Sequence, residues 1–336
     1  VRIAGIPTSV LVAPDSFKGT LRAVEVAEAI GRGLARAGVP VDLCPVADGG
    51  EGTLEALRAS LGGELLTVAV SDPLGRPLEA SYAVAGGSGR RAEKVAIVET
   101  AAASGLGLVA QSKRDPLAAS TFGTGELIVA AVQAGASVVL LGAGGSATTD
   151  GGTGAIRAIR EGGGLGGARL VVLCDVRTPF EESARVFGPQ KGAGRQDVRR
   201  LTSRLHGLAR AMKRDPRGVP MTGAAGGLAG GLWAELEAEL VPGAAFVLDA
   251  VAFDSRMKTA RAVVTGEGRL DLQSLAGKAV SEVATRARQS GVPCHAIVGA
   301  RELDTFGARI LDLQAILEAG TLRRLETAGA RLAELL

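Results

Sequence analysis

The chain has 336 residues, 46% hydrophobic and 22% charged, with 38 basic against 35 acidic side chains for a formal net charge of +3. This is the composition of a folded globular protein, and it excludes a disordered chain. The charges are spread along the sequence and only 3% of residues are aromatic, which leaves neither a basic patch nor a stacking surface for nucleic acid.

Val10 to Ala13 reads as a strand, followed by Pro14-Asp15-Ser16-Phe17-Lys18-Gly19-Thr20 and a helix from about Arg22 to Ala37, with Val26, Ala29, Ile30 and Leu34 at helical spacing and Thr20 as its cap. Val41 to Val46 is a second strand, ending in Ala47-Asp48-Gly49-Gly50-Glu51-Gly52-Thr53 before a short helix through Leu57. Strand, polar loop, helix, repeated, is the βαβ rhythm, whose ligands gather at the carboxyl ends of the strands. The rhythm then changes: Leu65 to Val70 and Glu79 to Val84 flank a Pro- and Gly-punctuated turn and read as a hairpin, and Val95 to Glu99 is a further strand with Glu99 at its end. Gly123 to Glu126 opens a helix through Gln133. A buried strand beginning at Val138 then breaks into Gly142-Ala143-Gly144-Gly145-Ser146-Ala147-Thr148-Thr149-Asp150-Gly151-Gly152, an anion loop by composition. Its glycines let N–H groups face a ligand, its hydroxyls add donors, and Asp150 suits a cation or a substrate hydroxyl.

Leu170 to Cys174 is a strand ending at Asp175, and Phe187 to Ala193 is a loop before a polar helix that runs to about Lys213. Gly223 to Gly227 starts the next helix, near Trp233. Ala262 to Thr265 is a strand ending in Gly266-Glu267-Gly268-Arg269-Leu270-Asp271, with Gly277 and Lys278 at the following helix. Pro293 to Gly299 and Leu313 to Leu317 are late strands, and Leu322 to Leu335 a closing helix. A chain of this length is more than one core usually fills, so two α/β domains are expected. The late elements repeat the rhythm of the first ones. A discontinuous Rossmann-like domain with a parallel sheet, residues 1–62 plus 290–336, is therefore expected to carry a second α/β domain, residues 63–289, inserted into it.

No apolar stretch approaches the ~18 residues of a membrane span, and the first residues are too interrupted for a signal peptide. Cys44, Cys174 and Cys294 lack paired spacing and read as reduced core residues, with neither a disulfide framework nor a zinc site. A soluble cytoplasmic protein without a membrane partner is expected. Only seven of the 38 basic residues are lysines, and Lys18, Lys191 and Lys278 each fall in a Gly-containing motif.

Five predicted strand ends carry carboxylates beside glycines: Asp15, Asp48 with Glu51, Asp150, Asp175, and Glu267 with Asp271. Each alone is ordinary turn chemistry, but acids, lysines and backbone donors together are what phosphoryl transfer needs. A nucleophilic hydrolase is disfavoured, since the only histidines are His206 in a polar helix and His295 in a predicted buried strand, and no Gly-x-Ser-x-Gly elbow occurs. There is no Walker A loop. The runner-up is a nicotinamide oxidoreductase, because Gly142 to Ala147 satisfies Gly-x-Gly-x-x-Ala after a strand with Glu161 downstream; that fingerprint wants a helix at once, whereas here the loop continues. A non-catalytic nucleotide-binding regulator is the other alternative.

The assembled motifs resemble the type-1 glycerate kinase family: Ala-Pro-Asp-Ser-Phe-Lys-Gly (13–19), Val-Ala-Asp-Gly-Gly-Glu-Gly-Thr (46–53), Gly-Gly-Ser-Ala-Thr-Thr-Asp-Gly-Gly (144–152), Phe-Gly-Pro-Gln-Lys-Gly-Ala (187–193), Gly-Ala-Ala-Gly-Gly-Leu (223–228) and Thr-Gly-Glu-Gly-Arg-Leu-Asp (265–271). The resemblance implies ATP-dependent phosphorylation of D-glycerate with Mg²⁺, in a cleft between the two domains, and resemblance to bacterial members favours 2-phosphoglycerate. Arg261 stands where the family has an acid, and the stretch from Glu161 to Gly167 is short.

Asp48 and Asp150, with Lys18 and Lys191, are the expected catalytic groups, Asp150 taking the acceptor's proton. Asp15, Ser16, Gly49, Gly50, Gly144, Gly145, Ser146, Thr148, Arg269 and Lys278 are expected around substrate and phosphates, and Asp48, Glu267 and Asp271 around Mg²⁺. Asp48, Asp150 and Glu267 follow different strands and are expected to form one acidic centre.

Overall fold

The computed structural model describes residues 9–86, 93–276 and 278–336. The first eight residues and Gly277, which entered the sequence reading, lie outside this range. The chain divides into two compact units, one built from the residues up to Asp48 together with Ala244–Leu336, the other from Gly49–Gly243. Both are α/β, and the second is inserted into the first in sequence.

In chain order the first unit opens with β1 (Ser9–Pro14), α1 (Ala23–Arg36) and β2 (Val41–Leu43). The second unit follows: α2 (Thr53–Leu61), β3 (Glu64–Ser71), β4 (Pro77–Ala85), β5 (Val95–Glu99), α3 (Thr100–Ser104), α4 (Phe122–Gln133), β6 (Val138–Gly142), α5 (Thr153–Glu161), β7 (Arg169–Cys174), α6 (Ser183–Phe187), α7 (Arg195–Ala211), α8 (Leu228–Leu236) and β8 (Glu239–Pro242). The first unit then resumes with α9 (Gly243–Ala250), α10 (Phe253–Met257), β9 (Ala260–Gly266), β10 (Arg269–Leu270), α11 (Ala279–Gln289), β11 (Cys294–Val298), β12 (Ala300–Arg301), α12 (Thr305–Ile310), β13 (Leu313–Glu318) and α13 (Leu322–Ala333).

The first unit's sheet has the order β13-β11-β9-β1-β2 and is parallel throughout. Helices cover parallel strands on both faces, which is why β1, β9 and β11 are near-continuous buried apolar runs. Val10, Val12, Ile30, Leu34, Val264 and Ile297 form its core with Leu325 and Leu332 of α13. The expected junctions at 62/63 and 289/290 both fall too late. Strand β9 pairs with β1 along its whole length, so the chain re-enters the first unit before residue 260.

The second unit's sheet, β3-β4-β5-β6-β7-β8, is antiparallel through the β3–β4 hairpin and the β4–β5 pair, then parallel. Its core gathers Leu127, Ile128, Val139, Leu141, Ile159, Val172 and Leu232. A smaller cluster, Phe180, Leu201 and Leu205, lies under α7. One local expectation changes. The Thr20 hydroxyl donates to the Phe17 carbonyl (2.7 Å) and leaves the start of α1 to Glu25, whose carboxylate accepts the Arg22 N–H (2.9 Å). The glycine loop continues through Gly152, as the sequence indicates, before α5 begins at Thr153. The three cysteines are free and buried, and among the described residues no helix is long and apolar enough to cross a membrane.

Candidate active site

Ligands of open parallel sheets bind beyond the carboxyl ends of strands where the strand order reverses. In the first unit β1 leads through α1 to β2 on one side, while β9 leads through α11 to β11 on the other, so the reversal lies between β1 and β9. Their last residues, Pro14 and Gly266, are paired, and the next residue on each strand is an acid, Asp15 and Glu267. Asp15, Asp48 and Glu267 are all buried, at 3%, 1% and 7% exposure, a position carboxylates take only when something compensates the charge.

That compensation is partial. Lys18 Nζ lies 2.9 Å from Asp48 Oδ2. Burial raises the Asp15 carboxyl well above its usual range, and so do Asp48 and Glu267, against the opposing pull of Lys18 and the Ser16 N–H. Glu267 is pushed up to about 7, chiefly by burial and further by Asp48, while the Ser274 hydroxyl, Lys278 and Lys18 act the other way. Its Oε1 is buried without a hydrogen-bond partner. These groups border a cavity of about 410 Å³ whose lining includes Asp15, Lys18, Glu267, Arg269, Asp271 and Lys278. Arg269 reaches Glu302 (3.2 Å), and Asp271 Oδ1 accepts the Gln273 N–H (2.8 Å), so Asp271 closes its own turn.

In the second unit the loop after β6 is organised around a buried lysine. Lys191, 3% exposed, donates from Nζ to Ser146 Oγ (2.9 Å) and to the Thr148 carbonyl (2.6 Å). Burial depresses its ammonium to about 8, against the favourable fields of Asp175 and Asp150. Gly49 and Gly50 meet the same loop through the backbone: the Gly144 N–H donates to the Gly49 carbonyl (3.2 Å). Gly145 continues the loop with φ +72°, and its carbonyl accepts the Leu106 N–H (2.9 Å). The hydroxyls of Thr148 and Thr149 are buried and unpaired.

Of the three acids expected at one centre, Asp48 and Glu267 lie in the first unit and Asp150 in the second. Asp48 and Glu267 meet Asp15 within the first unit. Asp150 belongs to the second unit, where its carboxylate accepts from the Thr121 N–H and hydroxyl (2.9 Å each), the Gly152 N–H (3.0 Å) and the Gly154 N–H (3.2 Å). Four donors saturate it and tie the start of α4 to the start of α5. Sequence reasoning passed over two residues, Thr121 and Glu99. A hydroxyl just before the glycine-led helix was the available signal for Thr121; Glu99 was visible as a strand end, but its partners were not. Among the described residues no group of three or more His, Cys, Asp or Glu side chains is placed to hold a metal by itself.

A model of the glycerate kinase family matches residues 10–161 and 163–335. The glycerate kinase of Halalkalibacterium halodurans is 40% identical over 329 residues, covering 87% of this chain and 85% of that protein. The glycerate 2-kinase of Escherichia coli is 38% identical over 327 residues, covering 86% and 84%. The crystal structure of a putative glycerate kinase 2 from Salmonella typhimurium superposes with a TM-score of 0.77 at 33% identity over 98% of both chains. A match of this extent brings the motif loops, strand-end acids and buried lysine under one description: the chain belongs to the glycerate kinase family.

Proposed function

We propose that this protein transfers the γ-phosphoryl group of ATP to the 2-hydroxyl of D-glycerate, in the cytoplasm, with Mg²⁺. The observation that carries this reading is the group of three buried carboxylates, Asp15, Asp48 and Glu267, held beside Lys18 and Lys278 at the switch point of a parallel sheet. Family membership supplies the substrate, and the name of the E. coli relative favours the 2-position. The free, buried cysteines support a reducing compartment.

Mg²⁺ usually takes one or two protein carboxylates, keeps several waters and takes the rest of its shell from phosphates, so no complete protein cage is required. The unpaired Glu267 Oε1 and the mutual repulsion of the three acids suit such an ion; Asp48 and Glu267 would hold it, with Asp15 beside them. Bound there, it would neutralise charge on the transferring phosphoryl group. Asp271, occupied by its own turn, is the weaker candidate of the expected set.

Lys18, Lys278 and Arg269 are assigned to anionic oxygens, together with Ser16. The N–H groups of Gly49, Gly50, Gly144 and Gly145, with Ser146 and Thr148, form the second unit's anion loop, and Lys191 lends it positive charge. The four donors on Asp150 favour Asp48 as the group that takes the glycerate hydroxyl proton. Purified protein with ATP, Mg²⁺ and D-glycerate should release ADP above a glycerate-free control, and phosphorus NMR of the product should show the 2-phosphate. No glycerate-dependent ADP would overturn the kinase reading; a 3-phosphate would overturn the regiochemistry alone.

A further inference from the structure

The turn at Gly49–Gly52, whose Gly50 carbonyl accepts the Thr53 hydroxyl (2.7 Å), packs tightly on the loop after β6. A Cβ on Gly142 would lie 2.9 Å from the Gly49 carbonyl oxygen, and one on Gly144 only 2.4 Å from Gly50 Cα. A backbone hydrogen bond, Gly144 N–H to the Gly49 carbonyl (3.2 Å), joins the two loops. Helix α2 starts at the end of this turn on Gly52, a left-handed residue (φ +98°) with no capping side chain of its own. The cap comes from another strand: Glu99 Oε1 accepts both the Gly52 N–H (3.0 Å) and the Leu54 N–H (2.8 Å). Glu99 ends β5 in register with Gly142, the first glycine of the anion loop. One carboxylate at the edge of one loop therefore grips the far end of the other.

We propose that Glu99 is a positioning residue for phosphoryl transfer, holding the Gly49–Gly52 turn against the Gly142–Ser146 loop; the proposal rests on the kinase reading of those loops. The charge of Glu99 is part of its function, because an ionised carboxylate completes the N-terminus of α2 where a neutral acceptor does so less well. The charged groups acting on Glu99 are Glu51 from the turn and Glu55 from α2. Both are acids, and with burial they push its carboxyl up to about 7, against the pull of the two N–H groups. Glu99 accordingly changes charge between pH 6 and 8, and the grip should strengthen with pH across that range.

The test is Glu99→Gln, which keeps an acceptor oxygen and mimics the protonated acid at every pH. The ratio of wild-type to variant kcat/KM for ATP and D-glycerate is expected to grow about tenfold from pH 6 to pH 8, the titrations of Glu267 and Lys191 being common to both proteins. Its thermal midpoint at pH 8 should equal or exceed the wild type's, since a partly buried charge has been removed. A variant that follows the wild-type pH profile, or that melts lower with unchanged kcat/KM, overturns the proposal and leaves Glu99 an ordinary helix cap. Should Glu99→Gln fail to fold, amide exchange in the wild type decides: after correction for base catalysis, protection of the Gly52 and Leu54 amides should increase through pH 7, and constant protection overturns the grip. If the wild type releases no glycerate-dependent ADP, the kinase reading fails, and the same exchange measurement still reports on the contact.

Discussion

Replacing Lys191 by Met separates what the buried ammonium does for stability from what it does for catalysis. Its pKa falls from 10.5 to about 8 because burial penalises the charge. Between pH 8 and 10.5 the native state thus binds fewer protons than the unfolded chain, and unfolding free energy rises with pH, by at most about 3 kcal/mol at 1.36 kcal/mol per unit. Below pH 8 the lysine is charged in both states, and folding carries that penalty in full. Met removes the penalty but also the hydrogen bonds to Ser146 Oγ and the Thr148 carbonyl, worth about 1.5–3 kcal/mol each for a charged donor. These effects oppose one another, so at pH 7 the variant should melt within a few degrees of the wild type, and its midpoint should lack the wild type's rise from pH 8 to 10. Catalysis has no such compensation: loss of one charge-stabilising donor should remove about 2–4 kcal/mol of transition-state stabilisation, roughly 30- to 1000-fold in kcat/KM. The wild type should also lose activity as pH rises through 8, while its stability increases. Glycerate-dependent ADP release and thermal melts at pH 7–10 read both quantities. A Met variant within threefold of wild-type kcat/KM, or a wild-type melt that is flat above pH 8, would refute the reasoning.

Glu267, raised to about 7, favours the folded state fully below the unfolded value near 4.5 and loses that contribution as pH rises through 7, at most about 3 kcal/mol. Glu267→Gln should therefore raise the metal-free melting temperature at pH 8, with little change at pH 4, while turnover at any Mg²⁺ concentration falls; a lower melting temperature at pH 8 would count against it. Asp150→Asn leaves at least one of the four donors facing an amide NH₂, and should destabilise the second unit by about 2–4 kcal/mol. Denaturant titration checks this, and an unchanged midpoint would return Asp150 to candidacy as the proton acceptor.

Much of the sheet framework was readable because buried parallel strands are short β-branched runs that end in glycine or an acid: β1, β5, β6, β7, β9 and β11 all announce themselves this way. Helix α5 did not. Ile156 and Ile159 are buried and Arg157 and Arg160 face outward, but nine residues between glycine clusters offer little periodicity to detect. The unit junctions were misjudged for a different reason: hydrophobic pattern shows that β1 and β9 are strands, but not that they pair. The same limit applied to the acids. Each was visible as a strand-end residue, while its work depended on partners far away in sequence, Thr121 for Asp150 and Gly52 with Leu54 for Glu99. Local turn chemistry could not distinguish the saturated Asp150 from the repelling trio of Asp15, Asp48 and Glu267.

The pairing of β1 with β9 also orders events on the ribosome. The first unit's sheet cannot close until β9 has emerged, and at ~5–20 residues per second the roughly 250 residues between the two strands impose a wait of about ten seconds or more. Meanwhile the second unit, continuous from Gly49 to Gly243, is synthesised whole. Strand β1, with β2 available on one side but neither β9 nor β11 yet made, spends that interval with its other edge open. The nascent chain is thus most exposed to misassociation at its first strand, the one that becomes an interior strand of the finished sheet.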